Sequence, residues 1–229
     1  MSPPIRVLVV DDSSTMRTLI AAILTSDPDI TVCGQARDPI EARQMIKDLN
    51  PDVVTLDVEM PNMTGIEFLE RIMRLRPTPV VMCSTLTQRG AEITLEALEI
   101  GAVECVGKPV DGLDSADDFA QLPTKVKIAA KAKLGGAAAS RAPRGDVLPF
   151  AGSTRLVAIG SSTGGVEALG AIIPLMPPNC PPTVVTQHMP PAFTASLAQR
   201  LNKISAASVA EAQEGAPLTP GHIYIAPGG

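Results

Sequence analysis

At 229 residues the chain is longer than a typical single domain, so two folded units are expected. Apolar residues make up 45% of it, but only four Phe, one Tyr and no Trp supply aromatic bulk. Its cores must therefore be built from Val, Ile, Leu, Met and Ala, the palette of helices packed on parallel sheets. A net charge of −5 offers no chain-wide basic field to neutralise phosphates, which argues against a nucleic-acid partner.

The four cysteines, Cys33, Cys83, Cys105 and Cys180, show neither CxxC nor Cys/His ligand spacing. They read as reduced core thiols rather than a zinc site or a disulfide framework. Met-Ser-Pro-Pro leads directly into a strand without the basic and apolar regions of a signal peptide. No apolar run approaches the roughly 20 residues needed to span a bilayer. A cytoplasmic protein without membrane insertion is expected.

In chain order, Ile5 to Val10 reads as strand, Thr15 to Leu24 as helix, Ile30 to Ala36 as strand and Ile40 to Leu49 as helix. The rhythm repeats: strand Val53 to Leu56, helix Ile66 to Arg76, strand Val80 to Cys83, helix Ala91 to Ile100, strand Val103 to Val106. Such alternation predicts a doubly wound α/β unit over residues 1–125, because parallel strands need helical crossovers. Residues 126–153, rich in Ala and Gly with Lys131, Lys133, Arg141 and Arg144, read as a linker. A second unit, 154–229, opens with strand Leu156 to Ile159 and continues with helix Val166 to Ile173, strand Thr183 to Thr186 and helix Ala192 to Leu201.

In doubly wound folds ligands gather at the carboxyl ends of the strands. Asp11 and Asp12 follow the strand VLVV and Asp57 follows VVTL, so three carboxylates emerge at one such edge. Their mutual repulsion calls for a cation, and an all-oxygen donor set suits Mg²⁺. Ser84 and Lys108 end the fourth and fifth strands and bring a hydroxyl and an ammonium to the same edge, where both can contact a phosphoryl group. Any one of these Asp residues alone could be a turn former or a helix cap. As an ordered set, Asp11-Asp12, Asp57 in TLDVEMPNMTG, Ser84 and Lys108 in GKP resemble the response-regulator receiver family over residues 1–125.

That resemblance implies a flavodoxin-like five-stranded parallel sheet in which Asp57 accepts a phosphoryl group from a histidine kinase. It further implies Mg²⁺ held by Asp12, Asp57 and the main-chain carbonyl of Glu59, with Asp11 acting largely through water. Ser84 and Lys108 would contact the phosphoryl group, and the Lys108–Pro109 bond would be cis.

The second unit carries Gly160-Ser161-Ser162-Thr163-Gly164-Gly165 between a strand and a helix. Such a turn can present a nucleophile and exposed N–H groups, but taken alone it is equally an anion-binding loop or a helix cap. The Gly-Lys-Ser/Thr ending of a P-loop is absent. His188, at the end of the following strand, could serve as the base for Ser162 or be an ordinary polar residue. IGSSTGG, TQHMPPAFTASLAQRLN and PGHIYIAPGG together are similar to the catalytic domain of the chemotaxis protein-glutamate methylesterase family, CheB.

This second resemblance implies a partial Rossmann-like α/β domain with Ser162 as nucleophile, His188 as base and Thr163 helping to shape the site. The implied chemistry is hydrolysis of glutamyl γ-methyl esters and deamidation of glutamines on methyl-accepting chemotaxis receptors, controlled by the receiver and needing no cofactor in the esterase site. The triad aspartate is expected beyond Gly229, and Asp146, Glu211 and Glu214 do not fit the family pattern. His222 is expected to be structural. A phospho-receiver module without ester chemistry is the competing expectation.

Overall fold

A computed structural model describes residues 3–84, 88–109, 119–132 and 155–228, save the side chains of 88–91 and 192. The chain divides into two compact units, residues 1–137 and 138–229.

The first unit comprises β1 (Ile5–Val10), α1 (Ser14–Thr25), β2 (Ile30–Ala36), α2 (Pro39–Leu49), β3 (Val53–Asp57), α3 (Gly65–Leu75), β4 (Val80–Ser84), α4 (Gln88–Ile100), β5 (Glu104–Gly107) and α5 (Leu122–Ala129). Its five strands are all parallel, in the order β2-β1-β3-β4-β5. β3 and β4 are buried throughout, and β1 is buried from Val7 to Val10, at most 1% exposed. Helices on both faces account for this, and the same burial explains why these strands are unbroken apolar runs. The order reverses between β1 and β3, which creates a crevice at their carboxyl ends.

Local chemistry fixes where the helices begin. Asp38 caps α2 by accepting from the N–H groups of Ile40 and Glu41, both at 2.9 Å, with Pro39 at the first helical position. Thr64 and Glu67 form a reciprocal capping box at α3. Immediately after Thr64, a Cβ on Gly65 would lie 2.1 Å from the carbonyl oxygen of Asp57. Only glycine lets this helix start close over the end of β3.

The expected boundary at residue 125 falls inside α5. Phe119, Leu122, Val126 and Ala129 pack into the core beside Val7, Ile20, Leu24, Val81 and Val106. Lys127 pins the same helix to the turn after α1 through Asp27 at 2.6 Å and Asp29 at 3.3 Å. The first folded unit thus extends past the start of the expected linker, and the rest of that linker, 133 to 153, lies outside the described residues.

The second unit contains β6 (Val157–Ser161), α6 (Gly165–Ile172), a 3₁₀ turn (Ile173–Leu175), β7 (Thr183–Gln187), α7 (Pro191–Ile204), β8 (Ser208–Glu211) and β9 (His222–Ile225). Its strands are parallel in the order β6-β7-β9-β8. Leu169, Ile173, Phe193, Leu197 and Leu201 from the helices meet Val185, Ile223 and Ile225 from the sheet to form the core. β6 is an edge strand and alternates between half-buried and exposed residues. Among the described residues no helix is long and apolar enough to cross a membrane.

Candidate functional site

In the first unit the crevice between β1 and β3 holds the acids. Oxygens of Asp11, Asp12 and Asp57 all lie within 4.8 Å of one another; Asp11 and Asp57 are buried and Asp12 is exposed. Lys108, just past β5, reaches between the buried pair, with Nζ 2.8 Å from Asp11 Oδ2 and 2.7 Å from Asp57 Oδ1. The Lys108 N–H donates to the Ser84 carbonyl at 2.7 Å, extending the β4–β5 pairing to the site.

Burial and the pairings set the charges. Burial is the largest influence on Asp57 and, with the nearby Asp11 charge, pushes its pKa up to about 6 against the pull of Lys108 and the Glu59 N–H. Burial also opposes the charge on Lys108, but the Asp57 and Asp11 carboxylates outweigh it and raise its pKa. The donor set therefore fits a hard divalent cation. Oxygens of three carboxylates lie within 4.8 Å of one another opposite a single ammonium, whose Nζ reaches only Asp11 and Asp57.

Arg17, which sequence patterning did not single out, adds a brace. Its Nη1 donates to the main-chain carbonyls of Asp11 at 2.7 Å and Asp12 at 3.0 Å, holding the acidic turn from α1. Ser84 is 1% exposed at the end of β4, one residue beyond the Cys83 that pairs with Asp57. Glu59 approaches through its N–H, 3.3 Å from Asp57 Oδ1. No peptide bond among the described residues is cis, so the expected cis Lys108–Pro109 bond is corrected to trans. Trans remains favoured before proline by about 0.5–1 kcal/mol, and the Lys108 contacts form without the cis isomer.

In the second unit Ser162 and His188 stand just past the ends of neighbouring strands. The β6–β7 register ends at Ser161 opposite Gln187, and the His188 N–H donates to the Ser161 carbonyl at 2.9 Å as a last rung. Ser162 Oγ lies 3.4 Å from His188 Nδ1. That is longer than a good O–H···N bond, a looseness common in catalytic pairs before substrate arrives. Both residues are exposed. Gly165 N–H closes the turn onto the Ser162 carbonyl at 2.7 Å, with Gly164 in the left-handed region at φ 74°. Thr163 follows Ser162 in this turn and is half-buried.

The neighbouring Ser161 is a different kind of residue: its Oγ is committed to Gln187 Oε1 at 2.7 Å. Gln187, also unremarked in the sequence, is 6% exposed and touches the backbone of both Ser162 and His188. Among the described residues no carboxylate bonds to His188; Glu211 is engaged instead with Thr194 Oγ1 at 2.5 Å. Asp146 lies outside the described residues. His222 begins β9, at the opposite end of the sheet from Ser162, where Nδ1 meets Thr219 Oγ1 at 3.0 Å and the ring stacks on Tyr224.

Both sites can be set beside known proteins. The chain is 64% identical to a protein-glutamate methylesterase/protein-glutamine glutaminase of Caulobacter vibrioides, over 98% of this chain and 66% of that relative. A protein of the same name from Xanthomonas campestris is 49% identical, over all of this chain and 68% of the relative. The chain belongs to the CheB family. A family model described as CheB methylesterase matches residues 157–229, and one described as response regulator receiver domain matches residues 7–116. The solved response regulator domain of Thermotoga maritima CheB is 45% identical, with a TM-score of 0.52 over 57% of this chain and 98% of that one. The chain spans about two thirds of the length of the CheB relatives it matches, 66% for the first. The receiver match covers the Asp57 cluster and the methylesterase match covers Ser162 and His188.

Proposed function

We propose that this protein is a phosphorylation-controlled protein-glutamate methylesterase and protein-glutamine glutaminase that acts in the cytoplasm on methyl-accepting chemotaxis receptors. The observation that carries the hydrolase half is Ser162 Oγ at 3.4 Å from His188 Nδ1, at the ends of adjacent parallel strands.

In the reaction Ser162 Oγ attacks the γ-carbonyl carbon of a glutamyl methyl ester while His188 takes the hydroxyl proton. The resulting oxyanion lies against the turn at the amino end of α6, where N–H groups and the helix dipole favour negative charge. His188 returns the proton to the methoxide, methanol leaves, and an acyl-Ser162 remains. Water then attacks the acyl carbon with His188 again taking the proton, and cleavage of the ester to Ser162 releases the glutamate carboxylate. Deamidation follows the same course with ammonia as leaving group. The turn shaped by Thr163 and the glycines presents the nucleophile, and no cofactor enters these steps.

In the receiver, Asp57 attacks the phosphorus of a kinase phosphohistidine and the N–P bond breaks. Lys108 and the Glu59 N–H orient the carboxylate through Oδ1. A Mg²⁺ held by Asp12, Asp57 and the Glu59 carbonyl, with Asp11 acting largely through water, would neutralise charge on the phosphoryl oxygens. Ser84 and Lys108 answer the product, and the added charge biases the esterase.

Methanol release from methylated receptor tests this directly. Ser162→Ala should lower it by ~10⁴-fold or more. Beryllofluoride with Mg²⁺, a mimic of the phosphoryl group, should raise the activity of the intact protein. Equal release from wild type and Ser162→Ala would leave a phospho-receiver without ester chemistry.

A further inference from the structure

We infer that Gln187 is a positioning residue that holds nucleophile and base in register at the mouth of the β6–β7 pair. The inference rests on the Ser162–His188 reading above.

The backbone ladder between β6 and β7 ends where the chemistry begins. Past the Ser161–Gln187 pair and the last rung from His188 N–H to the Ser161 carbonyl, parallel pairing holds neither Ser162 nor His188 any further. Gln187 supplies the next tie with its side chain. Its Nε2 donates to the Ser162 carbonyl at 2.9 Å and to the His188 carbonyl at 3.2 Å, so one amide nitrogen bridges the main chains of both residues. Its Oε1 accepts from Ser161 Oγ at 2.7 Å.

The orientation of this amide is forced. Two carbonyls can only accept, so the nitrogen must face them, while the Ser161 hydroxyl donates to the oxygen. A side chain only 6% exposed, at a strand end that an apolar residue could fill, keeps a polar group whose hydrogen-bonding capacity is used at both ends.

The start of α6 is shaped around the same amide. A Cβ on Gly165 would lie 2.0 Å from Gln187 Oε1 and 2.9 Å from its Cδ. Gly165 also donates to the Ser162 carbonyl, so the glycine that leaves room for the amide is itself part of the nucleophile turn. Gln187 therefore joins three pieces that must agree: the end of β6, the His188 loop and the first residue of α6. With the Ser162–His188 separation already at 3.4 Å, a displacement of a few tenths of an ångström decides whether the proton can pass.

The test is steady-state methanol release by the intact protein from methylated receptor. Gln187→Met keeps the bulk and removes both polar ends; kcat should fall about 10–100-fold with KM unchanged within about twofold, the mark of lost alignment rather than lost binding. Gly165→Ala evicts the amide from the other side and should give a loss of the same order. Because both substitutions break one device, the double variant should fall within about threefold of the worse single one. Ser161→Ala leaves the amide in place without its anchor and should cost about 3–10-fold in kcat.

If Gln187→Met turns over within twofold of wild type while Ser162→Ala is inactive, the role assigned to Gln187 is overturned and the hydrolase stands. If Ser162→Ala retains activity, the hydrolase itself falls. Should Gln187→Met not fold, Ser161→Ala decides, and an unchanged kcat there overturns the inference.

Discussion

Without a bound cation Asp57 should titrate near pH 6, not near its ordinary value of 3.8. The residue is only 4% exposed, and burial outweighs the ammonium of Lys108 2.7 Å away. The gap from 3.8 to about 6 corresponds to about 3 kcal/mol, at about 1.36 kcal/mol per pH unit. Its sign follows from the raised folded-state value. The stability conferred by the neutral, protonated carboxyl is fully present below 3.8 and is lost as pH rises through about 6. Above that pH the ionised side chain burdens the fold, and a cation that binds the carboxylate relieves the burden.

Asp57→Asn places a neutral isostere at the same position and leaves Lys108 its contact with Asp11. The ¹³Cγ resonance of Asp57 should titrate near pH 6 in EDTA and move to lower pH in Mg²⁺. In EDTA, urea unfolding of the first unit should show wild type losing about 3 kcal/mol relative to Asp57→Asn between pH 3.5 and 7.5. A wild-type titration below about pH 4.5 in EDTA, or identical pH slopes for the two proteins, would refute the assignment of burial as the governing term.

Other substitutions probe the scaffold around the sites. Gly65→Ala forces a methyl group against the Asp57 carbonyl oxygen and should cost about 1–3 kcal/mol in urea unfolding, with slower phosphorylation of Asp57 by acetyl phosphate. Thr64→Ala opens the α3 capping box and should cost about 1 kcal/mol while leaving the rate of phosphorylation within twofold. Native alkylation with iodoacetamide at pH 8, read by mass spectrometry, should spare Cys83, which is fully buried and pushed up to about 12 by desolvation. Half-buried Cys33 should react first of the four thiols, and modification of Cys83 ahead of it would contradict the packing of β4.

The central architecture was legible because buried parallel strands write themselves as apolar runs. Ile5 to Val10 and Ile30 to Ala36 have the bounds expected for them, and Asp11, Asp12 and Asp57 sit at the carboxyl edge where those runs stop. What was missed was short or disguised. SVAE and HIYI are strands of four residues, and the ten residues joining them, with Gly215, Pro217, Pro220 and Gly221, hide a parallel pairing that has no crossover helix. The helix Leu122–Ala129 was given no bounds and was cut at residue 125, although Phe119, Leu122, Val126 and Ala129 already carry the spacing of one buried face. Gln187 left no signal at all. Its role depends on Gly165, Ser161 and two carbonyls brought together by strand pairing, and no local pattern encodes that meeting.

The two sites differ in what a substitution means. The receiver cluster is an ion-pair network at most 8% exposed for Asp11, Asp57 and Lys108, and Lys108 is the partner both acids share, so removing it leaves two buried carboxylates without their ammonium, a change worth about 3–5 kcal/mol. Lys108→Met would therefore lose phosphoryl recognition and stability together, and loss of signalling in that variant would say little about recognition alone. Ser162 and His188 are exposed, and their side chains meet chiefly each other. Substitutions there should leave stability within about 0.5 kcal/mol of wild type, so a lost turnover is attributable to chemistry. Gln187 stands between these cases: it is buried like the receiver acids but neutral and fully paired, so its contribution can be read only from kcat measured beside KM and stability, and the Gly165→Ala cycle supplies that separation.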